Sequence, residues 1–178
     1  MEITIRRAEV DSAADRSIIG ALWREYLEWA DRELASRYGL DMAAEFETTL
    51  EEAVVLDLER LLPRLAPPGG RALLAFAADG EPAGIGCLRS STDTAAEIKR
   101  MYVRPTARGR GVGRRLFDEL IEAARGAGYR TVRLDSARFM RAAHALYRSA
   151  GFKPIEPYEE SEVPPHVWHY WLFMELEL

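Results

Sequence analysis

The run Arg108-Gly109-Arg110-Gly111-Val112-Gly113 places three glycines between a stretch that alternates like a strand and one that repeats like a helix. A junction of that kind can hold an anion, because exposed backbone N–H groups and the positive end of the helix dipole converge there. Glycine helps by letting the backbone come close to the ligand. The charge distribution points the same way. Residues 99–148 carry 13 basic and 4 acidic side chains, whereas the whole chain has 24 basic against 29 acidic and a net charge of −5. A basic centre in an acidic protein suggests an anionic ligand held by that segment. Arginine outnumbers lysine 22 to 2, so no single arginine counts as a phosphate ligand by type alone.

Two phosphate loops are excluded. A P-loop needs Gly-Lys-Ser/Thr, and the turn holds no lysine. The dinucleotide fingerprint needs G-x-G-x-x-G, whereas Gly109, Gly111 and Gly113 run G-x-G-x-G. Taken alone, the turn also suits a plain strand-to-helix connection with solvated charges.

The elements that position this turn follow from periodicity. Residues 2–7 alternate as a short strand, and from Asp11 the apolar residues Ile18, Leu22, Trp23, Tyr26, Leu27, Ala30 and Leu34 recur at helical steps, ending at Gly39. A second helix is expected from Thr48 to Leu62, stopped by Pro63. Residues 71–78 and 82–90 read as strands around an Asp79-Gly80 hairpin turn, and 95–103 as a further strand closed by Pro105. The helix after the turn carries Leu116, Phe117, Leu120, Ile121 and Ala124 on one face. A strand over 129–135, a helix over 139–150 and a strand over 152–156 follow, and 168–176 alternate as a last strand. The pattern predicts one α/β (α+β) domain over 1–178, with a mostly antiparallel start and a βαβαβ second half.

The chain has 178 residues, 48% hydrophobic and 30% charged, which excludes collagen-like, coiled-coil and largely disordered readings. Cys87 is the single cysteine, so an internal disulfide or a multi-cysteine zinc site is excluded, and it is expected to pack as a small apolar residue. No apolar run approaches the roughly 18 residues that span a bilayer, and Met1-Glu2-Ile3 does not open a signal peptide, so a cytoplasmic, soluble protein is expected. His166 and His169 have no carboxylate or cysteine at ligand spacing, so no metal is expected, and His144 reads as a solvent-facing helix residue.

The motifs together resemble a known family. Arg108-x-x-Gly111-x-Gly113 is similar to the Arg/Gln-x-x-Gly-x-Gly/Ala motif of the GNAT superfamily of acyl-CoA-dependent N-acyltransferases, and Glu97 to Pro105 resembles that family's fourth strand. Ala143-His144-Ala145-Leu146-Tyr147 followed by Gly151-Phe152 resembles its second motif, and the likeness covers residues 71–178. It implies a mixed sheet of six to seven strands flanked by about four helices and splayed between the fourth and fifth strands. It implies acetyl-CoA as co-substrate, with its pyrophosphate on the backbone of Arg108, Gly109, Arg110, Gly111, Val112, Gly113 and Arg114. The pantetheine arm would pair with the backbone of Met101, Tyr102 and Val103, and the Met101 N–H would donate to the thioester oxygen, where charge develops.

The resemblance also implies two side-chain roles. Tyr147, a phenol of pKa near 10, would protonate the departing CoA thiolate. Glu97, eleven residues before Arg108, would take the acceptor amine's proton through a water. Met140 stands where many members carry a cofactor-contacting asparagine, which removes one polar anchor. The expected activity is N-acetyl transfer to a primary amine of a small molecule or peptide, directly in a ternary complex. A non-catalytic acyl-CoA-binding or sensing module is the alternative. Nucleic acid and membrane are not expected partners, because the chain is acidic overall and no aromatics interleave the arginine run. Trp23, Tyr26, Trp29, Tyr38, Phe46, Tyr158 and Trp168 lie in segments that line the acceptor site in that family, and the surplus of carboxylates suits a cationic amine. The chain is expected to be a monomer or a homodimer paired through its C-terminal strand.

Overall fold

A computed structural model describes residues 2–178. Strand β1 (Ile3–Arg7) leads into the long helix α1 (Ala13–Tyr38), which starts under Ser12, whose side chain accepts from the Asp15 N–H. It ends at Gly39, whose φ of +69° is the left-handed conformation glycine adopts without strain. A short helix α2 (Met42–Glu45) follows, and then α3 (Leu50–Leu56), opened by a capping box between Thr49 and Glu52. The expected helix from Thr48 to Leu62 thus begins on time but loosens after Leu56 into a π-turn over Asp57–Leu61 and a 3₁₀ turn over Leu62–Leu65. Pro63 explains this, because it has no N–H to donate back along the helix.

Strands β2 (Arg71–Ala77), β3 (Pro82–Ser90) and β4 (Ala95–Val103) form an antiparallel meander, and β1 pairs with β2 at its outer edge. Helix α4 (Val112–Gly126) returns the chain to β5 (Thr131–Ala137), helix α5 (Arg141–Ser149) to β6 (Lys153–Ile155), and β7 (Trp171–Glu177) completes the sheet. The strand order is β1-β2-β3-β4-β5-β7-β6. The mixed seven-strand sheet matches the expected fold class, with β4 and β5 as the parallel pair. The last strand is shorter than its alternation suggests. Trp168 and Tyr170 belong to a 3₁₀ turn, Pro165–Tyr170, because consecutive prolines at 164 and 165 fix φ and remove donors.

Both faces of the sheet are covered. Leu116, Phe117, Leu120 and Ala124 of α4 pack with Leu88, Ile98, Val132 and Met174 on one face. Ile19, Leu22 and Trp23 of α1 pack with Leu74, Ile85 and Cys87 on the other. The Cys87 thiol is buried there, and burial pushes its pKa up to about 12, so it is an inert packing group as expected. A third cluster joins Leu34 and Leu40 to Val163, Val167, Trp171 and Phe173 at one end of the sheet. Among the described residues no helix is long and apolar enough to cross a membrane, and no group of three or more His, Cys, Asp and Glu is placed to hold a metal ion.

Candidate active site

Two irregularities in the sheet create the site. Strands β4 and β5 pair only over Ala95↔Thr131 to Glu97↔Arg133 and then part. On the other side of β4 the register slips: Cys87 faces Lys99, but Ile85 faces Tyr102, so β4 carries one extra residue opposite Gly86. Arg100 in this bulge has φ +49°, a left-handed conformation costly for a side-chain-bearing residue. Its guanidinium is forked onto Asp57 of the π-turn, with Nε and NH2 at 2.6 and 2.9 Å from the carboxylate. The loosened end of α3 therefore pins the bulge, and the bulge turns successive charged residues toward one cavity.

The parted strands leave a narrow slot lined by Tyr26, Met101, Leu134, Asp135, Ser136, Met140 and Tyr147. The Tyr147 ring sits between Phe117 and Phe152, 5.8 and 5.9 Å between centroids, and its hydroxyl has no hydrogen-bond partner among the described residues. Burial, with Tyr26 and Asp135 nearby, raises its pKa above the ordinary phenol value, so the proton stays on. Beside the slot lies a larger cavity of about 360 Å³ with mostly apolar walls from α1, α2, α3 and Trp171. Tyr26, Lys99, Arg100, Asp135 and Met140 line both spaces, so the two chambers meet at these residues.

The glycine-rich turn stands at the head of α4. Gly109 and Gly111 have φ of +73° and +76°, and a Cβ on either would meet nothing within 4 Å. Gly111 is the N-cap, and the first bond into the helix runs from the Arg115 N–H to its carbonyl. The N–H groups of Val112, Gly113 and Arg114 are thus left without intrahelical acceptors, the arrangement that suits a phosphate. Gly113 lies over β4, where a Cβ would sit 3.8 Å from Met101 Cε and Val103 Cγ2. The cradle is made by backbone. The Arg108 guanidinium is turned back onto the Val103 carbonyl at 2.9 Å and stacks over Trp29 and Tyr102, and Arg114 donates to Ser149 Oγ at 2.6 Å. Tyr102 faces α1, not the slot. Much of the basic centre is likewise committed to ion pairs: Arg100 with Asp57, Arg104 with Glu25, Arg133 with Glu175.

Glu97 is placed behind the slot with no solvent exposure. Its Oε2 accepts from Arg89 at 2.7 Å, and its Oε1 accepts from the Tyr158 hydroxyl at 2.8 Å and lies 3.2 Å from Lys99 Nζ. Lys99 also meets Asp135 at 3.2 Å and Glu162 at 3.4 Å. Burial disfavours its charge, but these three carboxylates outweigh burial and hold the ammonium above the usual lysine range. Burial raises the Glu162 pKa, yet Lys99, Arg100 and Arg89 prevail and hold it at about 2. A carboxyl depressed in the fold stabilises the protein above its unfolded pKa near 4.3 and loses that contribution as the pH falls. We therefore expect Glu162→Gln to be less stable than the parent at about pH 6, with the gap closing by about pH 2 in urea titrations. A gap independent of pH would show that Glu162 acts through packing alone.

The sequence signals Tyr147, Met101 and the turn, but not Asp57, Lys99, Arg100, Asp135 or Glu162 as a group. One signal was present: Lys99 is one of two lysines among 24 basic residues and sits with Glu97 and Arg100 inside an otherwise apolar strand. His144 departs from expectation. It is buried, with Nε2 3.1 Å from Ser136 Oγ, and burial lowers its pKa and keeps it neutral. The face of α5 that packs on β5 includes it.

Parted parallel strands, unpaired backbone amides at the head of α4 and a buried phenol are brought together at one side of the sheet. The chain belongs to the acetyltransferase (GNAT) family, whose family model matches residues 23–152, and acetyl-CoA is the co-substrate of that family. It is 30% identical over 150 residues, 83% of each chain, to an uncharacterized N-acetyltransferase of Schizosaccharomyces pombe. A GCN5-related N-acetyltransferase from Kribbella flavida superposes with a TM-score of 0.64 at 27% identity, covering 99% of this chain and 98% of that one. The PaiA N-acetyltransferase of Thermoplasma acidophilum, crystallised in complex with coenzyme A, has the same fold, with a TM-score of 0.73 at 21% identity over 100% of both chains.

Proposed function

We propose that this acetyltransferase moves the acetyl group of acetyl-CoA directly to a primary amine while both are bound. The observation that carries the reading is the junction of slot and cavity at Tyr26, Lys99, Arg100, Asp135 and Met140, which lets two ligands meet without a covalent enzyme intermediate. Acetyl-CoA supplies an activated acetyl thioester when bound. The N–H groups of Val112 to Arg114 bind its pyrophosphate, and the open edge of β4 at Met101 and Val103 receives the pantetheine arm, with the Met101 N–H placed for the thioester oxygen. In the transfer the amine nitrogen forms the amide bond, the carbon–sulfur bond breaks, and CoA leaves as the thiol with a proton from Tyr147. The amine's own proton passes to Asp135 at the slot or, through a water, to Glu97, and solvent returns a proton to the Tyr147 phenolate. Tyr147 at the slot favours catalysis over mere acyl-CoA sensing.

Excess acetyl-CoA at about 100 times its Kd is expected to stabilise the protein by about 2.7 kcal/mol, read as a rise in Tm, with CoA released once an amine is added. An unmoved Tm would sink the reading. Gly111→Val is expected to weaken acetyl-CoA binding at least about tenfold, the equivalent of one charge-assisted hydrogen bond of about 1.5 kcal/mol, while circular dichroism stays that of the parent. The left-handed φ of +76° at Gly111 is the cause, since a valine there must distort the cradle. Parent-like affinity, measured by titration calorimetry, would place the phosphates elsewhere.

A further inference from the structure

Resting on the transfer reading above, we infer that the acceptor is a primary amine on an apolar body that carries no carboxylate of its own, and that Asp135 receives its ammonium. Three observations carry this. The first is the wall of the larger cavity. Leu27, Leu34, Met42, Phe46, Val163 and Trp171 line a space of about 360 Å³, enough for an aromatic or branched alkyl group. Outside the charged junction only Asp31, Asp41 and Thr48 among the lining side chains are polar, so a polyhydroxylated acceptor would leave most of its hydroxyls against apolar wall.

The second is the charge balance where the cavity meets the slot. Four carboxylates, Asp57, Glu97, Asp135 and Glu162, surround three cations, Arg89, Lys99 and Arg100. The cluster keeps one negative charge in excess, and one ammonium balances it. An acceptor carboxylate meets the opposite situation. Lys99 donates to Asp135 and has Glu97 and Glu162 within 3.2 and 3.4 Å of its ammonium, and the Arg100 fork is taken by Asp57.

The third is the position of Asp135. Its Oδ2 accepts from Lys99 and from Ser161, at 3.2 and 3.3 Å, whereas its Oδ1 takes no hydrogen bond among the described residues. Asp135 borders both chambers, so an ammonium on Oδ1 stands at the entrance to the slot with its apolar substituent in the cavity.

The test compares matched pairs that differ only in a carboxylate: tryptamine against tryptophan, and phenethylamine against phenylalanine, with spermidine and an aminoglycoside as polar amines. Thiol release gives kcat/KM, and calorimetry on the acetyl-CoA-free protein gives amine binding. Each apolar amine is expected to exceed its amino acid by at least about tenfold in kcat/KM, because the acceptor's carboxylate would be buried against like charges. Comparable or better turnover of the amino acids, spermidine or the aminoglycoside overturns the inference and leaves acetyl transfer standing. If acetyl-CoA binds but no amine releases CoA, the transfer reading fails, and phenethylamine binding still decides the site: one-to-one binding weakened by Asp135→Asn supports it, and no binding overturns it. Should Asp135→Asn fail to fold, Phe46→Lys, which puts a cation in the apolar wall, is expected to weaken phenethylamine binding at least about tenfold; unchanged binding overturns the site.

Discussion

Tyr147→Phe is expected to lower kcat by about 10²- to 10⁴-fold, nearer the lower end, while acetyl-CoA affinity changes little. The substitution removes one oxygen and keeps the ring between Phe117 and Phe152, so the slot retains its shape. What is lost is the proton for the departing sulfur. Burial keeps that proton on the phenol through the neutral range, so the parent rate is expected to show no fall from ionisation of Tyr147 below about pH 10. The lower end is favoured because a thiol of pKa about 8.5 is a fair leaving group unaided. Single-turnover thiol release with a confirmed acceptor reads the step directly. A variant within about twofold of the parent would make Tyr147 a packing residue and water the acid.

Glu97→Gln has the largest expected effect on stability, a loss of about 3 kcal/mol in urea unfolding. The cost arises from what stays behind. Arg89 and Lys99 are 4% and 5% exposed, and without the Glu97 charge Arg89 keeps only the half-exposed Glu162 and Lys99 loses one of its three carboxylates, so their desolvation is less fully compensated. Glutamine still accepts from Tyr158, which places the loss at the low end of the range for breaking buried pairs. A loss below about 1 kcal/mol would show that Asp135 and Glu162 suffice to hold the two cations.

The turn and Tyr147 are legible in the sequence because their signals are local. Glycines at 109, 111 and 113 between a two-residue and a 3.6-residue period fix the cradle, and the Leu146-Tyr147 pair sits on the helix that must follow. The charged junction is not local. Asp57, Arg89, Glu97, Lys99, Asp135 and Glu162 come from a π-turn, three strands and a loop, and they converge only because β4 carries a bulge at Arg100. This bulge holds Arg100 at positive φ, and nothing in the type of that residue announces it; its guanidinium is held by Asp57, 43 positions away. The same reasoning explains the misread ends. Trp168 and Tyr170 alternate with Leu172 as a strand does, but the prolines before them forbid the ladder, and the helix after Thr49 loses its regular bonds as it approaches Pro63. Fold class survives these errors because it depends on long periodic runs.

The strand order β5-β7-β6 has a consequence for how the chain acquires its shape. β6 has a single neighbour, β7, and β5 has β7 on its far edge. Residues 153–155 therefore have no strand to join until residues 171–177 have been synthesised and inserted between two segments already made. Until then the outer edge of β5 presents unpaired amides and carbonyls over seven residues, Thr131 to Ala137, the kind of edge on which chains associate wrongly. Growth on the ribosome thus leaves this half of the sheet open until β7 is made, and inserting β7 pairs the free edges of β5 and β6 in one event.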